Sequence, residues 1–214
     1  MKNVYIFSGL GADKRVFQNM NFSDYNANFV EWILPEKHEN IESYAQKLTE
    51  QIKHAKPILV GLSFGGIIAT EVAKIIEIEK IILIASAKNC NEIPNYFRIA
   101  GKLKLHKLLP TKLMKMSNFI SFWFFGAKSI ADKSILTEIL KDTDGKFLKW
   151  AIDKIVTWKN QVEHKNLVHV HGDSDRILPI NFVKYNIKIR NGGHFMTLNK
   201  AEELTEVVRK ELSV

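Results

Sequence analysis

Ser63 lies at the centre of the segment Gly61–Gly66, which reads GLSFGG and directly follows the apolar run Ile58–Val60. A serine flanked by glycines two residues away on each side, between a strand and a helix, sits on a sharp and strained turn. Bulky residues at the glycine positions would clash there, and the serine hydroxyl projects above the sheet. The segment therefore predicts that Ser63 is a nucleophile.

A serine hydroxyl is a poor nucleophile unless a base removes its proton, and the chain has seven histidines. His194 follows two glycines in a loop between the last predicted strand and the last predicted helix. Glycines allow close backbone approach, so we expect this loop to come near Ser63 and predict that His194 is the base. His169 and His171 alternate along a predicted strand, and we interpret them as packed or hydrogen-bonded strand residues.

The base in turn needs an acid that fixes its tautomer and stabilises its charged form. The loop 171–179 reads HGDSDRILP and offers two candidates, Asp173 and Asp175. Asp is common in turns because its side chain hydrogen-bonds to nearby backbone, which favours a turn or capping role for Asp173. We therefore predict that Asp175 is the acid.

The elements that must position these residues alternate between short apolar runs and helical patterns, which is typical of parallel βαβ units. We predict an α/β fold with a mainly parallel six-stranded sheet, helices on both faces and a helical lid insertion. The two runs with polar or charged residues inside them, Phe29–Leu34 and Tyr185–Ile189, are predicted to form the sheet edges. The six predicted strands are Val4–Phe7, Phe29–Leu34, Ile58–Val60, Ile81–Ala85, Leu167–Val170 and Tyr185–Ile189.

The connection from Ser86 to Asn166 is much longer than a crossover helix requires. We predict a core domain formed by residues 1–87 and 165–214, with residues 88–164 inserted as a helical lid before the acid-bearing strand. Helical patterns in the insertion cover Leu103–Met116, Phe119–Phe125 and Lys146–Trp158. The aromatic residues of Phe119–Phe125 are interpreted either as core packing of the lid or as the lining of an acyl pocket.

The formal net charge of +8 falls entirely within residues 88–165, which are the predicted insertion and the one residue after it. Residues 88–165 contain 15 Lys and Arg against 7 Asp and Glu, whereas the rest of the chain contains 16 of each class. Three interpretations stay open: a solvated helix face, docking of an acidic carrier protein, or contact with an anionic lipid surface. Nucleic acid is not favoured as a partner, because no binding motif accompanies the charge. Five lysines interleave with leucines there: Lys102, Lys104, Lys107, Lys112 and Lys115.

Cysteine content and hydropathy predict a cytoplasmic protein. Cys90 is the only cysteine, so no disulfide can form within the chain, as is usual in reducing compartments. The first apolar run is too short for a signal peptide, and none approaches the roughly 20 residues that a membrane span needs. The sequence implies neither a metal nor an organic cofactor.

The order Ser63, Asp175, His194, each in a loop after a predicted strand, resembles the α/β-hydrolase superfamily over nearly the whole chain. By this resemblance, the backbone N–H groups of Leu10 and Phe64 form the oxyanion hole. Two features differ from the usual pattern. The chain starts at the first parallel strand and thus resembles a hydrolase without the first β-hairpin, and Ser8-Gly9 stands where the family commonly has His-Gly.

The residues and the resemblance together predict a serine hydrolase that cleaves a small-molecule carboxylic ester or thioester through an acyl-enzyme. Three alternatives remain. The chain could hydrolyse esters or thioesters of an acyl-carrier protein that docks on the basic lid, or it could be a lyase that uses the same three residues. It could also be a binding protein that kept the fold without turnover.

Overall fold

The computed structural model describes residues 1–213 and contains one six-stranded sheet with the order β2-β1-β3-β4-β5-β6. Every pair of neighbouring strands is parallel. The strands are β1 (Asn3–Phe7), β2 (Asn26–Val30), β3 (Ile58–Leu62), β4 (Lys80–Ile84), β5 (Leu167–Gly172) and β6 (Ile187–Ile189). The α-helices are α1 (Ile41–Leu48), α2 (Phe64–Val72), α3 (Asn95–Lys102), α4 (Thr111–Met114), α5 (Phe119–Phe125), α6 (Ile130–Asp142), α7 (Gly145–Thr157), α8 (Met196–Asn199) and α9 (Ala201–Ser213).

Helices cover both faces of the sheet, which confirms the predicted fold class. Successive side chains of a strand point to opposite faces, so Ile6 and Phe7 of β1 belong to two different hydrophobic clusters. The first cluster is completed mainly by α9, with a contribution from α6, and the second by α1, α2 and α7. The central strands β3 and β4 are almost wholly apolar because neither of their faces meets water.

The two edge strands are those predicted, but their bounds differ from the predicted ones. β2 begins at Asn26 and ends at Val30, whereas the apolar pattern indicated 29–34. Only Val30 is buried in β2, so this edge strand accommodates the polar side chains of Asn26 and Asn28. Trp32 lies beyond the strand, where its indole N–H donates to the carbonyl oxygen of Gly9 at 3.2 Å. At the other edge, β6 is limited to three residues.

Five helices, α3 to α7, lie between β4 and β5. The predicted continuous helix over 103–116 is wrong. Lys104 has a φ of +57° and follows the end of α3, and Pro110 lacks the N–H that a helix interior requires. The segment is therefore divided into the 3₁₀ turn Leu105–Leu108 and the short helix α4. Helices α3 and α6 were not predicted.

The five helices between β4 and β5 differ sharply in how they pack. Leu136 and Ile139 of α6 are buried in the first cluster, and Phe147 and Ala151 of α7 are buried in the second. The turn after α7 is fixed by the indole N–H of Trp158, which donates to a carboxylate oxygen of Glu71 at 2.7 Å. By contrast, α3, α4 and α5 together bury only Gly101. Among residues 1–213, no helix is long and apolar enough to cross a membrane.

Candidate active site

Ser63 is the one residue between β3 and α2, and its φ of +52° is strained for a side chain other than glycine. The flanking glycines make this turn possible. A Cβ on Gly61 would meet the backbone of Gly66, and a Cβ on Gly65 would meet the carbonyl oxygens of Phe7 and Ser8. The turn keeps the Ser63 side chain partly exposed at the carboxyl end of β3.

His194 lies in the loop between β6 and α8, and its Nε2 is 2.8 Å from the Ser63 Oγ. The ring is buried and is contacted edge-on by Phe125 of α5, with the ring centroids 5.8 Å apart. The two glycines before His194 were expected to bring the loop close to Ser63. Their actual neighbours are different: Gly192 packs against Gly172, and Gly193 packs against Gly126. The glycines thus hold the loop that carries His194 against the loop that carries Asp175 and against the end of α5.

Asp175 lies in the loop after β5, and its buried carboxylate is the hydrogen-bond partner of His194. Its Oδ2 is 2.8 Å from His194 Nδ1, while its Oδ1 accepts the N–H groups of Ile177 and Leu178, both at 2.9 Å. Burial by itself raises the pKa of Asp175, but the charge and hydrogen bond of His194 outweigh it and hold the pKa below its usual value. An ionised Asp175 accepts the Nδ1–H of His194, which leaves Nε2 as the acceptor for the Ser63 hydroxyl.

Asp173 has a different position. Its Oδ1 accepts the backbone N–H of Asn191 at 2.7 Å, at the start of the loop that carries His194. It therefore stabilises the pairing of the two loops without contacting the imidazole. The structure brings Ser63, His194 and Asp175 into one hydrogen-bonded chain, and leaves Asp173 in the turn role that the sequence favoured.

The two predicted oxyanion donors flank Ser63. Phe64 is the first residue of α2, so its N–H has no acceptor within the helix. Leu10 belongs to the loop after β1, where its neighbour Gly9 packs against the Ser63 Cβ. Within residues 1–213, neither the Phe64 N–H nor the Leu10 N–H donates a hydrogen bond.

Hydrogen bonds from within the loop and from two other segments fix the loop that carries Leu10. Within the loop, the Ala12 N–H donates to Gly9 O at 3.0 Å, and the Ser8 hydroxyl donates to Ala12 O at 2.6 Å. From outside, the Trp32 indole donates to Gly9 O, and the Thr143 hydroxyl donates to Gly11 O at 3.1 Å. These four hydrogen bonds hold the loop in place.

An aromatic cluster that sequence reasoning missed fixes the position of Phe64. The Phe64 ring lies 5.6 Å from Trp32, 6.2 Å from Phe147 and 6.1 Å from Trp150, measured between ring centroids. Phe147 and Trp150 belong to α7, so a helix between β4 and β5 helps to fix the position of Phe64, the first residue of α2. No local pattern could have revealed the cluster, because its members are far apart in the sequence.

His169 and His171 are fully buried on β5, behind the acid loop. His171 Nε2 is 2.8 Å from the carbonyl oxygen of Leu178, and His171 Nδ1 is 3.3 Å from His169 Nε2. His169 Nδ1 is 3.2 Å from the carbonyl oxygen of Lys184. Burial, followed by the charge of the neighbouring ring, lowers the pKa of His169 to about 3. The predicted role of packed, hydrogen-bonded strand residues is confirmed for both.

A cavity of about 610 Å³ lies beside the loop after β1, and its lining includes Gly11, Trp32 and Thr143 but neither Ser63 nor His194. Among the described residues, no group of three or more His, Cys, Asp or Glu side chains is arranged to hold a metal ion.

No protein-family model and no curated protein matches the chain. Many solved structures do match, with low sequence identity. An esterase from Exiguobacterium antarcticum has a TM-score of 0.71 at 14% identity, covering 100% of this chain and 92% of the other. An enol-lactonase from Burkholderia xenovorans LB400 gives 0.71 at 15% identity, with the same coverages of 100% and 92%. A bromoperoxidase from Bacillus anthracis gives 0.67 at 15% identity, covering 100% and 93%. The chain has the α/β-hydrolase fold.

Proposed function

We propose that this chain is a serine hydrolase that cleaves a carboxylic ester or thioester, with Ser63 as nucleophile, His194 as base and Asp175 as acid. The observation that carries this proposal is the continuous hydrogen bonding from Ser63 Oγ through both ring nitrogens of His194 to Asp175, at 2.8 Å for each contact. This arrangement activates a serine hydroxyl and stabilises the imidazolium that forms. Loops after three different strands supply the three groups.

In the proposed reaction, the Ser63 oxygen bonds to the carbonyl carbon while His194 Nε2 takes the hydroxyl proton. The tetrahedral intermediate then collapses, the bond to the alcohol oxygen or thiol sulfur breaks, and His194 gives its proton to that leaving group. Water next attacks the acyl-enzyme and passes a proton to His194. The carboxylic acid leaves and Ser63 recovers its proton.

The backbone N–H groups of Phe64 and Leu10 are proposed to stabilise the negative oxygen of the tetrahedral intermediate. Both groups lack another acceptor among residues 1–213, so they are available to a substrate oxygen. Preorganised donors of this kind are worth about 10²–10³ in kcat each. The packing of Phe64 and the hydrogen bonds of the loop that carries Leu10 hold the two donors in place.

Residues 88–164 are proposed to act as a lid on a core formed by residues 1–87 and 165–214. Two contacts support a lid role: Phe125 of α5 packs against the His194 ring, and α7 packs against Phe64. An esterase and an enol-lactonase are among the proteins with a similar fold, which supports ester chemistry for this site.

The test combines covalent labelling with turnover. The wild-type protein should react with a fluorophosphonate probe and should hydrolyse members of a chain-length series of p-nitrophenyl esters and acyl thioesters. Ser63→Ala is the matched control, since it removes one oxygen and leaves the fold intact. A wild-type protein that neither reacts with the probe nor turns over any member of the series would overturn the proposal.

A further inference from the structure

The exposed apolar side chains of this protein are concentrated in one segment. Of the 19 large apolar side chains exposed among the described residues, 12 lie between Tyr96 and Phe124. We call this region, formed by α3, the turn Leu105–Leu108, α4 and α5, the 96–124 surface. Exposed apolar side chains concentrated in this way point to an interaction site. Its five most exposed members are Ile99, Leu103, Leu108, Phe119 and Ile120.

The same segment carries an unbalanced positive charge. Residues 93–131 contain seven Lys and Arg and no Asp or Glu. Two of the lysines have structural partners: Lys107 pairs with Asp153 at 3.3 Å, and Lys115 donates to Thr143 O at 2.7 Å. Within residues 1–213, Arg98, Lys102, Lys104 and Lys112 form no ion pair.

A groove at the end of this surface combines aromatic rings with further cations. A cavity of about 340 Å³ is lined by Phe119, Trp123, Lys128, Lys133 and Arg176, among others, and its lining contains no acidic residue. The Arg176 guanidinium lies 4.4 Å from the centroid of the Trp123 ring. Tryptophan and basic side chains together suit the headgroup layer of a membrane.

We propose that the 96–124 surface docks this protein on an anionic lipid bilayer. The apolar side chains enter the boundary between headgroups and acyl chains, while Lys102, Lys104 and Lys112 meet the lipid phosphates. An acidic protein partner would neutralise the lysines, but it would need a matching apolar surface across several short, broken elements. A fluid bilayer satisfies both features at once. The inference does not rest on hydrolase activity, because membrane binding is measured without turnover.

Docking in this orientation has a consequence for the candidate active site. Helix α5 carries Trp123 and Phe124 on its exposed side, and its Phe125 contacts the His194 ring. A protein seated on lipid through α5 therefore holds the Ser63 site next to the membrane.

The experiment is co-sedimentation of the full chain with vesicles of phosphatidylcholine, with and without roughly 30% phosphatidylglycerol. The wild-type protein should bind the anionic vesicles and lose binding as salt is added. Changing Lys102, Lys104 and Lys112 together to Gln should weaken binding on the order of 100-fold, since each lysine near an anionic surface contributes about 5-fold. The matched control changes the exposed lysines Lys37, Lys53 and Lys188 to Gln, which lowers net charge equally, and should stay within about 3-fold of wild type.

A second pair of variants tests the apolar contribution. Leu108→Ser with Phe119→Ser removes side chains that are 79% and 80% exposed, and it should weaken binding to anionic vesicles at least 10-fold. The control, Leu34→Ser with Val162→Ser, removes side chains that are 62% and 64% exposed elsewhere and should leave binding unchanged. Absence of wild-type binding, or equal losses in test and control variants, would overturn the proposal. So would lysine-dependent binding to an acidic carrier protein with no binding to vesicles.

Discussion

Replacement of Asp175 by Asn offers a sharp test of the candidate site, because the structure fixes how the new amide must sit. Oδ1 of Asp175 accepts the backbone N–H groups of Ile177 and Leu178, so the oxygen of the amide must occupy that position. The amide nitrogen then faces His194 Nδ1 and donates to it. The imidazole proton must move to Nε2, and Nε2 can no longer accept the proton of Ser63.

The expected loss in kcat is about 10⁴-fold, because the wrong histidine tautomer is stabilised while the heavy atoms stay in place. The measurement is steady-state hydrolysis of the best p-nitrophenyl ester, with thermal unfolding to establish that the variant is folded. A ¹⁵N spectrum of the His194 ring reports the tautomer directly. It should show Nδ1 protonated in the wild-type protein and Nε2 protonated in Asp175→Asn.

Asp173→Asn is the matched control in the same loop. Its side chain accepts only the Asn191 N–H from the backbone, and the oxygen of an asparagine can still accept that bond. We expect less than about a tenfold loss in kcat. If Asp173→Asn proved the more damaging change, or if Asp175→Asn kept Nδ1 protonated and retained activity, the proposed role of Asp175 would be refuted.

Three further predictions follow from the site and its supports. Ser63→Ala should lower kcat on the order of 10⁶-fold and abolish fluorophosphonate labelling, without lowering thermal stability. Residual activity above a few per cent of wild type would show that Ser63 is not the nucleophile. Gly65→Ala should lower the free energy of unfolding by about 1–3 kcal/mol, because the new Cβ would meet the backbone carbonyls of Phe7 and Ser8. Urea unfolding measures this value, and an unchanged free energy would contradict the close packing. The pKa of His169 is about 3 in the folded protein and about 6.5 in the unfolded protein, so between these pH values only the unfolded state binds the proton. The free energy of unfolding should therefore fall by about 1.4 kcal/mol for each pH unit lost through this window. In urea titrations between pH 6 and pH 4, His169→Asn should reduce that slope, and an unchanged slope would contradict the burial argument.

Much of the fold could be predicted from the sequence because its signals are local. The runs that form β3 and β4 are apolar throughout, and the strained turn at Ser63 requires glycines at fixed spacing. The elements that were missed lack such signals or show weaker ones. Helix α6 does begin with a capping box formed by Ser129 and Asp132, which a closer reading of its start could have detected.

What the sequence could not supply is contact between distant segments. The glycines before His194 suggested close approach, but which loop they approach depends on the packing of β5, β6 and α5. The same holds for Phe64, whose ring is held by Trp32 and by residues of α7. The lysines of the insertion looked equivalent in sequence, yet Lys107 and Lys115 have partners that only the folded chain brings near.

His169 and His171, which lie behind the loop that carries Asp175, have fewer N–H donors than contacts that need one. Two neutral rings carry one N–H each, but the pair makes three contacts that each require a proton: to Lys184 O, to Leu178 O, and between the rings. The His171 proton is best placed on Nε2, which faces both Leu178 O and Asp175 Oδ2, the latter at 3.7 Å. His169 is left with one proton and two acceptors on opposite sides of its ring. Each tautomer of His169 satisfies one of these acceptors and leaves the other without a donor, so the buried pair always makes one hydrogen bond fewer than its contacts allow.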